Sequence, residues 1–319
     1  VVPTSGALPF INFDPHLKLP YTLSWNVSLQ RELGTKQNIS AAYVASVGRR
    51  LLSTQTLFDA DPQSPFLRFI SNRAESDYRS LQVQFDRRLG DGLKSLVSYT
   101  WARSTDNATR DNTRRILFGS EDPEADRGPS DFDVRHTLNG FLSYELPAPF
   151  AHGLANKTFR NWIVEPMFTA RSAKPVNVLF GFPTTYGFAY VRPNVIDGEP
   201  FYLLDPTAGG GRRINSGAFV LPTTLEQGNL SRNSLRGFPF YQFDLALRRK
   251  FSFSESTNVQ FQADAFNLFN HPNFEDPAGN DLHLGPVFGQ STALTGRAFD
   301  AFYNVGGARA LRFSLKLTF

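Results

Sequence analysis

Nine stretches of this chain alternate apolar and polar residues with a period of two, and the connections between them run short, long, short, long without exception. In residues 21–33, Leu23, Trp25, Val27 and Leu29 take one face, and Ser24, Asn26, Ser28 and Gln30 the other. Residues 37–52 repeat the pattern with Ile39, Ala41, Tyr43, Ala45 and Val47, and residues 78–89 with Leu81, Val83 and Phe85. The same reading covers 93–103, 133–146, 160–172, 239–251, 257–269 and the last residues, 307–319. Such alternation predicts strands with one apolar face. Most are longer than the five or six residues usual in globular sheets, and long enough for a tilted strand to cross a bilayer, which takes about 9–11 residues.

The short connections lie around Gly34, around "GDG" at 90–92, at 147–158 and at 252–256; the long ones are 53–77, 104–132, 173–238 and 270–306. In an antiparallel order all the short turns fall at one end and all the long loops at the other. A soluble sandwich has no reason to segregate its loops in this way, whereas outer-membrane barrels have short periplasmic turns and extended outer loops. The fold class expected is therefore all-β, an antiparallel transmembrane β-barrel, of which this chain supplies a part of about nine long strands. The domain reading is a single partial barrel over 1–319. The last connection is long, so the last strand runs from outside to periplasm. The first strand does too, and residues 1–20 are expected to belong to an outer loop. Bacterial single-chain barrels have even strand counts, so an odd number of strands is expected upstream. Val1 at the start, with Met167 the only methionine, agrees with a fragment or processed product.

Composition narrows the chemistry. With no cysteine there are no disulfides, thiol nucleophiles or Cys-based zinc sites. The 33 Lys+Arg against 29 Asp+Glu are scattered, without the basic stripe that nucleic-acid binding leaves, so no nucleic-acid partner is expected. No run of 18 apolar residues is present to form a membrane helix, and "VVPTSGALPF" lacks the features of a signal peptide. The histidines show no HExxH-type spacing, and no GxSxG motif occurs. No enzyme activity and no cofactor are expected. The acidic stretch "EDPEADRGPSDFD" at 121–133 does not match an EF-hand and reads as a solvated outer loop. "GGGRR" at 209–213 lacks the ending of a phosphate loop and reads as flexible loop.

The face opposite the apolar one carries Gln82, Gln84, Asp86, Gln242, Asp244, Gln260, Gln262 and Asp264. These are the candidate lumen-lining residues, facing a hydrated interior, a solute path or a plug. Leu23, Trp25, Val27, Leu245, Phe261 and Leu311 are expected to face outer-membrane lipid.

Several stretches together resemble Oar-like TonB-dependent receptors: "SWNVSLQRELGTKQNISAAYVASVGRRLL" at 24–52, "YRSLQVQFDRRLGDGLKSLVSYTWARSTDN" at 78–107, "DRGPSDFDVRHTLNGFLSYELP" at 126–147 and "QADAFNLFNHPNF" at 262–274. The resemblance covers nearly the whole chain in the family's order. It implies the C-terminal part of a barrel of about 22 strands in the outer membrane of a Gram-negative bacterium. It also implies energised uptake of an unidentified ligand through the TonB system. The plug, the N-terminal domain and the TonB-contacting segment would lie upstream. The alternatives are a passive porin-like or structural outer-membrane protein and, behind these, a soluble β-rich binding protein. The ending "RFSLKLTF" resembles the C-terminal signal by which the barrel-assembly machinery recognises its clients, with Phe313, Leu315, Leu317 and Phe319 as the residues concerned.

Overall fold

The period-two segments fold as strands, each turning back along the one before it. The computed structural model describes residues 10–61, 64–88, 92–108, 123–147, 153, 156, 160–184, 187–223, 226–254, 256–277, 281–283, 285, 287–296 and 305–319. Nine long strands form the path of an eleven-stranded sheet, to which the short strands Phe10–Phe13 and Gly128–Pro129 add: β1 (Tyr21–Glu32), β2 (Gln37–Asp61), β3 (Ser64–Arg88), β4 (Leu93–Asp106), β5 (His136–Glu145), β6 (Trp162–Arg171), β7 (Phe240–Ser252), β8 (Asn258–Phe266) and β9 (Ala310–Thr318). Each is antiparallel to its chain neighbour, in the order β9-β8-β7-β6-β5-β4-β3-β2-β1. The sheet is an open wall rather than a closed barrel: β1 and β9 are its two edges among the described residues. Gly34, with φ +70, makes the turn between β1 and β2, a conformation glycine adopts without a Cβ penalty. Residues 90 and 91 of the "GDG" turn lie outside the described residues, as do 121–122 of the acidic stretch and much of the outer connections.

Register aligns the apolar residues into rows across the sheet. Leu29, Ala41, Val83, Tyr99, Leu138, Ala170 and Tyr241 lie directly opposite one another on seven successive strands. A one-residue slip at any pairing would turn the next strand inside out. Leu23, Trp25, Val27 and Leu311 are exposed on this face. Leu245 and Phe261 share it but are half-buried; Phe261 meets the Trp162 ring edge-on at 6.5 Å and stacks with Phe313 at 6.4 Å.

Two expectations need correction. Residues 53–77 are not a loop. β2 and β3 each run 25 residues and stay paired to Asp61–Ser64 at the tip. The alternation is interrupted between Gly48 and Leu51, where the register shifts at a bulge and Arg50 takes φ +55. A bulge adds a residue on one strand and resets its faces, so the period read from the sequence stops there while the hairpin continues.

The connection 173–238 is the second correction, because it folds. Pro175–Thr184 pairs with Gly187–Val191 and Leu235–Arg236, and in parallel with Asp281–His283 from the next outer connection. Short strand pairs Asn194–Val195 with Phe219–Val220 and Tyr202–Leu204 with Arg212–Ile214 complete the unit. Its buried cluster joins Val176, Val178, Ile214, Ala218, Phe219, Leu230, Leu235 and Phe288. Phe201 stacks on Phe219 at 5.6 Å. This outer cap thus has a core of its own.

Candidate functional site

The cap stands at the outer end of the polar face. On that face, Asp264 accepts from Gln262 at 2.7 Å and from Arg312 Nε and Nη2 at 2.9 and 2.8 Å. Gln242 donates to both oxygens of Asp244, and Arg248 pairs with Glu165 one strand away. Apart from the exposed Arg312, these groups are buried or half-buried, and their pairing satisfies charges that burial alone would penalise. Four of the candidate polar residues, Gln242, Asp244, Gln262 and Asp264, therefore belong to hydrogen-bonded clusters on β7–β9. Gln260 lies half-buried on the same face. On β3, Gln82 and Gln84 are exposed, Gln82 reaching only Ser80 at 3.3 Å, and Asp86 sits 3.4 Å from Arg88.

At the top of β8 the stretch "NLFNHPNF" ties three elements together. Asn267, φ +49, ends the strand. Its backbone N–H donates to Asp244 at 2.7 Å, and its side-chain amide donates to the carbonyls of His271 and Gly307. Asn270, also at positive φ, accepts from the Arg309 N–H at 3.0 Å. Asn273, fully buried, accepts from the Tyr241 N–H at 2.8 Å. Asparagine suits these positions because it tolerates the left-handed region and bonds the backbone locally.

The acidic stretch is not a solvated loop, which corrects that reading. Asp126 binds Arg192, and Asp131 accepts from Asn233 at 2.7 Å. Asp133 accepts from Arg236 and from the Ser104 N–H, both at 2.7 Å, and lies 3.5 Å from Arg135. Beside them Arg232 donates to Asp106 at the end of β4 at 2.7 Å. Asp106, Asp133, Arg192 and Arg232 are all buried. Asp106, Asp126 and Asp133 with Arg192, Arg232 and Arg236 thus form a latch that fastens the cap to the rim of the sheet. The "GGGRR" stretch is ordered as well, a further correction: Gly210 and Gly211 turn at positive φ, and the Arg212 guanidinium lies over the rings of Tyr202 and Phe238, at 4.7 and 5.2 Å. Nearby, burial pushes the Asp276 carboxyl up to about 6, although the Phe238 N–H donates to it at 3.0 Å and Lys174 and Arg171 oppose the shift. A Cβ on Gly237 would fall 1.7 Å from Asp276 Oδ1, so only glycine lets the carboxylate approach.

Sequence reasoning missed Arg192, Arg232, Arg236 and Asp276. The only local signal was a cluster of carboxylates with no cation count to match it nearby; its partners lie 66 to 126 residues away. Among the described residues no group of three or more His, Asp or Glu is placed to hold a metal ion.

The model of the outer membrane beta barrel domain matches residues 2–305. The chain belongs to that family. Its apolar outer face is accordingly the face that meets lipid, and its place is the bacterial outer membrane. No curated protein sequence matches the chain. Among solved structures, the outer membrane transporter YddB from Escherichia coli superposes with a TM-score of 0.56 at 10% identity, over 98% of this chain and 35% of that one. The FrpB iron transporter from Neisseria meningitidis gives 0.48 at 12% identity, over 96% of this chain and 32% of that one. The chain thus spans about a third of the length of the solved transporters it matches. At these identities the likeness is one of fold: a nearly all-β antiparallel barrel wall.

Proposed function

We propose that the protein containing this chain is a TonB-dependent outer-membrane receptor that takes up a ligand with energy supplied through TonB. The observation that carries the reading is the latched cap. A wall polar on its inner face, topped by a cap with its own core and buried ion pairs, suits ligand capture at the outer mouth better than free diffusion. The likeness of fold to YddB supports it, as does the resemblance to Oar-like receptors. The sheet has two open edges with exposed apolar rows, and such edges call for further strands. In this reading those strands, the plug and the TonB-contacting segment come from the rest of the chain. Residues 1–20 belong to an outer loop, in keeping with Phe10–Phe13 lying parallel to Leu67–Ile70 in the outer half of β3. Gln82, Gln84, Asp86, Gln242, Asp244, Gln260, Gln262 and Asp264 then face the lumen or the plug.

Conductance separates this from a passive porin. The full-length protein in a planar bilayer should hold no steady open channel, and uptake by cells should stop when TonB is deleted. A large constant conductance would establish the porin reading instead. We also assign an assembly role to the last strand. Phe313, Leu315, Leu317 and Phe319 are all exposed on the lipid side of the edge strand. Deleting Phe319 from the full-length protein should sharply reduce the heat-modifiable, surface-protected fraction and leave precursor in the periplasm. Normal outer-membrane levels would reduce Phe319 to an interfacial aromatic.

A further inference from the structure

Two arginines lie on the lipid-facing side, Arg103 near the outer end of β4 and Arg79 opposite it on β3. Pairing places Trp25, Ala45, Arg79 and Arg103 in one row across β1–β4. The row beneath holds Val27, Tyr43, Leu81, Trp101 and His136. In the next, the Tyr99 hydroxyl lies 2.7 Å from His136 Nδ1. Tryptophan and tyrosine concentrate where hydrocarbon gives way to headgroups. Arg79 and Arg103 therefore sit at headgroup level, one strand apart.

Their surroundings contain charge that is already committed. Arg49 pairs with Asp77 at 2.8 Å and Glu75 at 3.6 Å. Arg127 pairs with Asp77, with Glu75 at 3.8 Å and with Glu124 at 3.6 Å. Arg232 is held by Asp106 and Asp131. Arg79 and Arg103 are exposed and have no hydrogen-bond or ion-pair partner among the described residues. Like charges directly opposite on neighbouring strands repel, and the nearby Asp77 is already paired with Arg49 and Arg127. Both open onto a cavity of about 830 Å³ that is also lined by Thr105, Ser231, Ser234 and Arg127, and by the carboxylates of Asp77 and Glu124, which Arg49 and Arg127 already engage.

We propose that this cavity binds the phosphate group of an outer-leaflet glycolipid. Arg79 and Arg103 clamp the phosphate oxygens with paired N–H donors, the geometry in which arginine binds phosphate most strongly. The hydroxyls of Thr105, Ser231 and Ser234 line the same space. A soluble phosphate offers the same chemistry. The lipid-facing side and the height beside the aromatic rows favour a headgroup whose acyl chains lie along Leu81 and Trp101.

The test uses the full-length protein extracted from outer membranes in mild detergent, with retained lipid A counted by native mass spectrometry. The wild type should retain it. R79A/R103A should retain about tenfold less or lower, and R79K/R103K, which keeps the charge without the fork, should fall between. Removing two mutually repelling cations should leave thermal stability in detergent unchanged or raised. A double alanine variant that lost lipid only together with stability would mark a structural role and overturn the proposal. Nanodiscs separate the two sources. The wild type should prefer phosphorylated to dephosphorylated lipid A, and R79A/R103A should lose that preference. Equal retention by wild type and double variant, or binding of inorganic phosphate with no preference between the two lipids, would also overturn it.

Discussion

Val27 and Val178 are the same side chain on the same extended backbone, yet Val27 is 71% exposed and Val178 wholly buried. The difference is the solvent each was placed for. Val27 belongs to a wall whose apolar face meets bilayer hydrocarbon, so exposure to water measures nothing about its fitness. Val178 belongs to a cap that stands in water and must build a dry core from Leu235, Phe219 and Phe288. Polar groups follow the same division. Within the span the wall turns Asp244, Asp264 and Glu165 to its inner face and leaves Arg79 and Arg103 on the outer face near the rim, whereas the cap buries its charges and pairs them. One chain thus applies two opposite rules of burial, and the boundary between them runs through Asp106, where β4 ends and the latch begins.

Breaking the latch should show the largest effect. Asp106→Ala takes the carboxylate from the buried Arg232, and removing one member of a buried pair costs about 3–5 kcal/mol. Hydrogen exchange of the full-length protein should rise across 123–135 and 230–236 while strand protection in β7–β9 is kept. Equal loosening of both regions would mean that wall and cap are one cooperative unit.

The wall should respond to depth instead. Leu315 lies midway along β9 and Leu311 at its outer end. Leu315→Arg should cost about 2–4 kcal/mol in urea titrations in lipid vesicles, and Leu311→Arg about 0–1 kcal/mol. Neither should change exchange in the cap.

Asp276 tests the cap by pH. Because burial lifts its carboxyl from 3.8 to about 6, the folded cap binds the proton more tightly than the unfolded chain. Its contribution is most favourable below 3.8, declines as pH rises toward about 6, and is lost above that. The full loss is at most about 3 kcal/mol. Asp276→Asn should remove this slope and stabilise the cap at pH 8 against protease. The smallest effect belongs to Asp86→Asn. Its partner Arg88 is largely exposed, and such a pair contributes about 0–1 kcal/mol.

The wall was legible because its information is local. Alternation marks each strand, and connection length marks each end, so all nine strands follow from short windows of sequence. The same method failed at Gly48–Leu51, where one bulge hid the rest of a hairpin. It failed throughout the cap for a different reason. Leu235 pairs with Val176, and Asp281–His283 lies along Asn177–Leu179. Beyond the hairpin of Pro175–Thr184 with Gly187–Val191, the cap's strands are only two or three residues long, too short to leave a period to read, and several pair with segments dozens of positions away. The latch was opaque for the same cause: a run of carboxylates looks solvated until the arginines that meet it are placed. The polar residues of β7 and β8 were visible as a face, but their partners Glu165 and Arg312 emerged only with the register.

The latch also imposes a timetable on biogenesis. Arg232 reaches back 126 residues to Asp106, so this clasp cannot close until the intervening strands β5 and β6 and most of the cap have been delivered to the outer side. Before then the carboxylates at 106–133 wait without these arginines, and the cap's arginines have no seat. Early strands can zip locally to their neighbours, but the exterior must mature last, as a final inspection that succeeds only when distant segments have all arrived on the correct side.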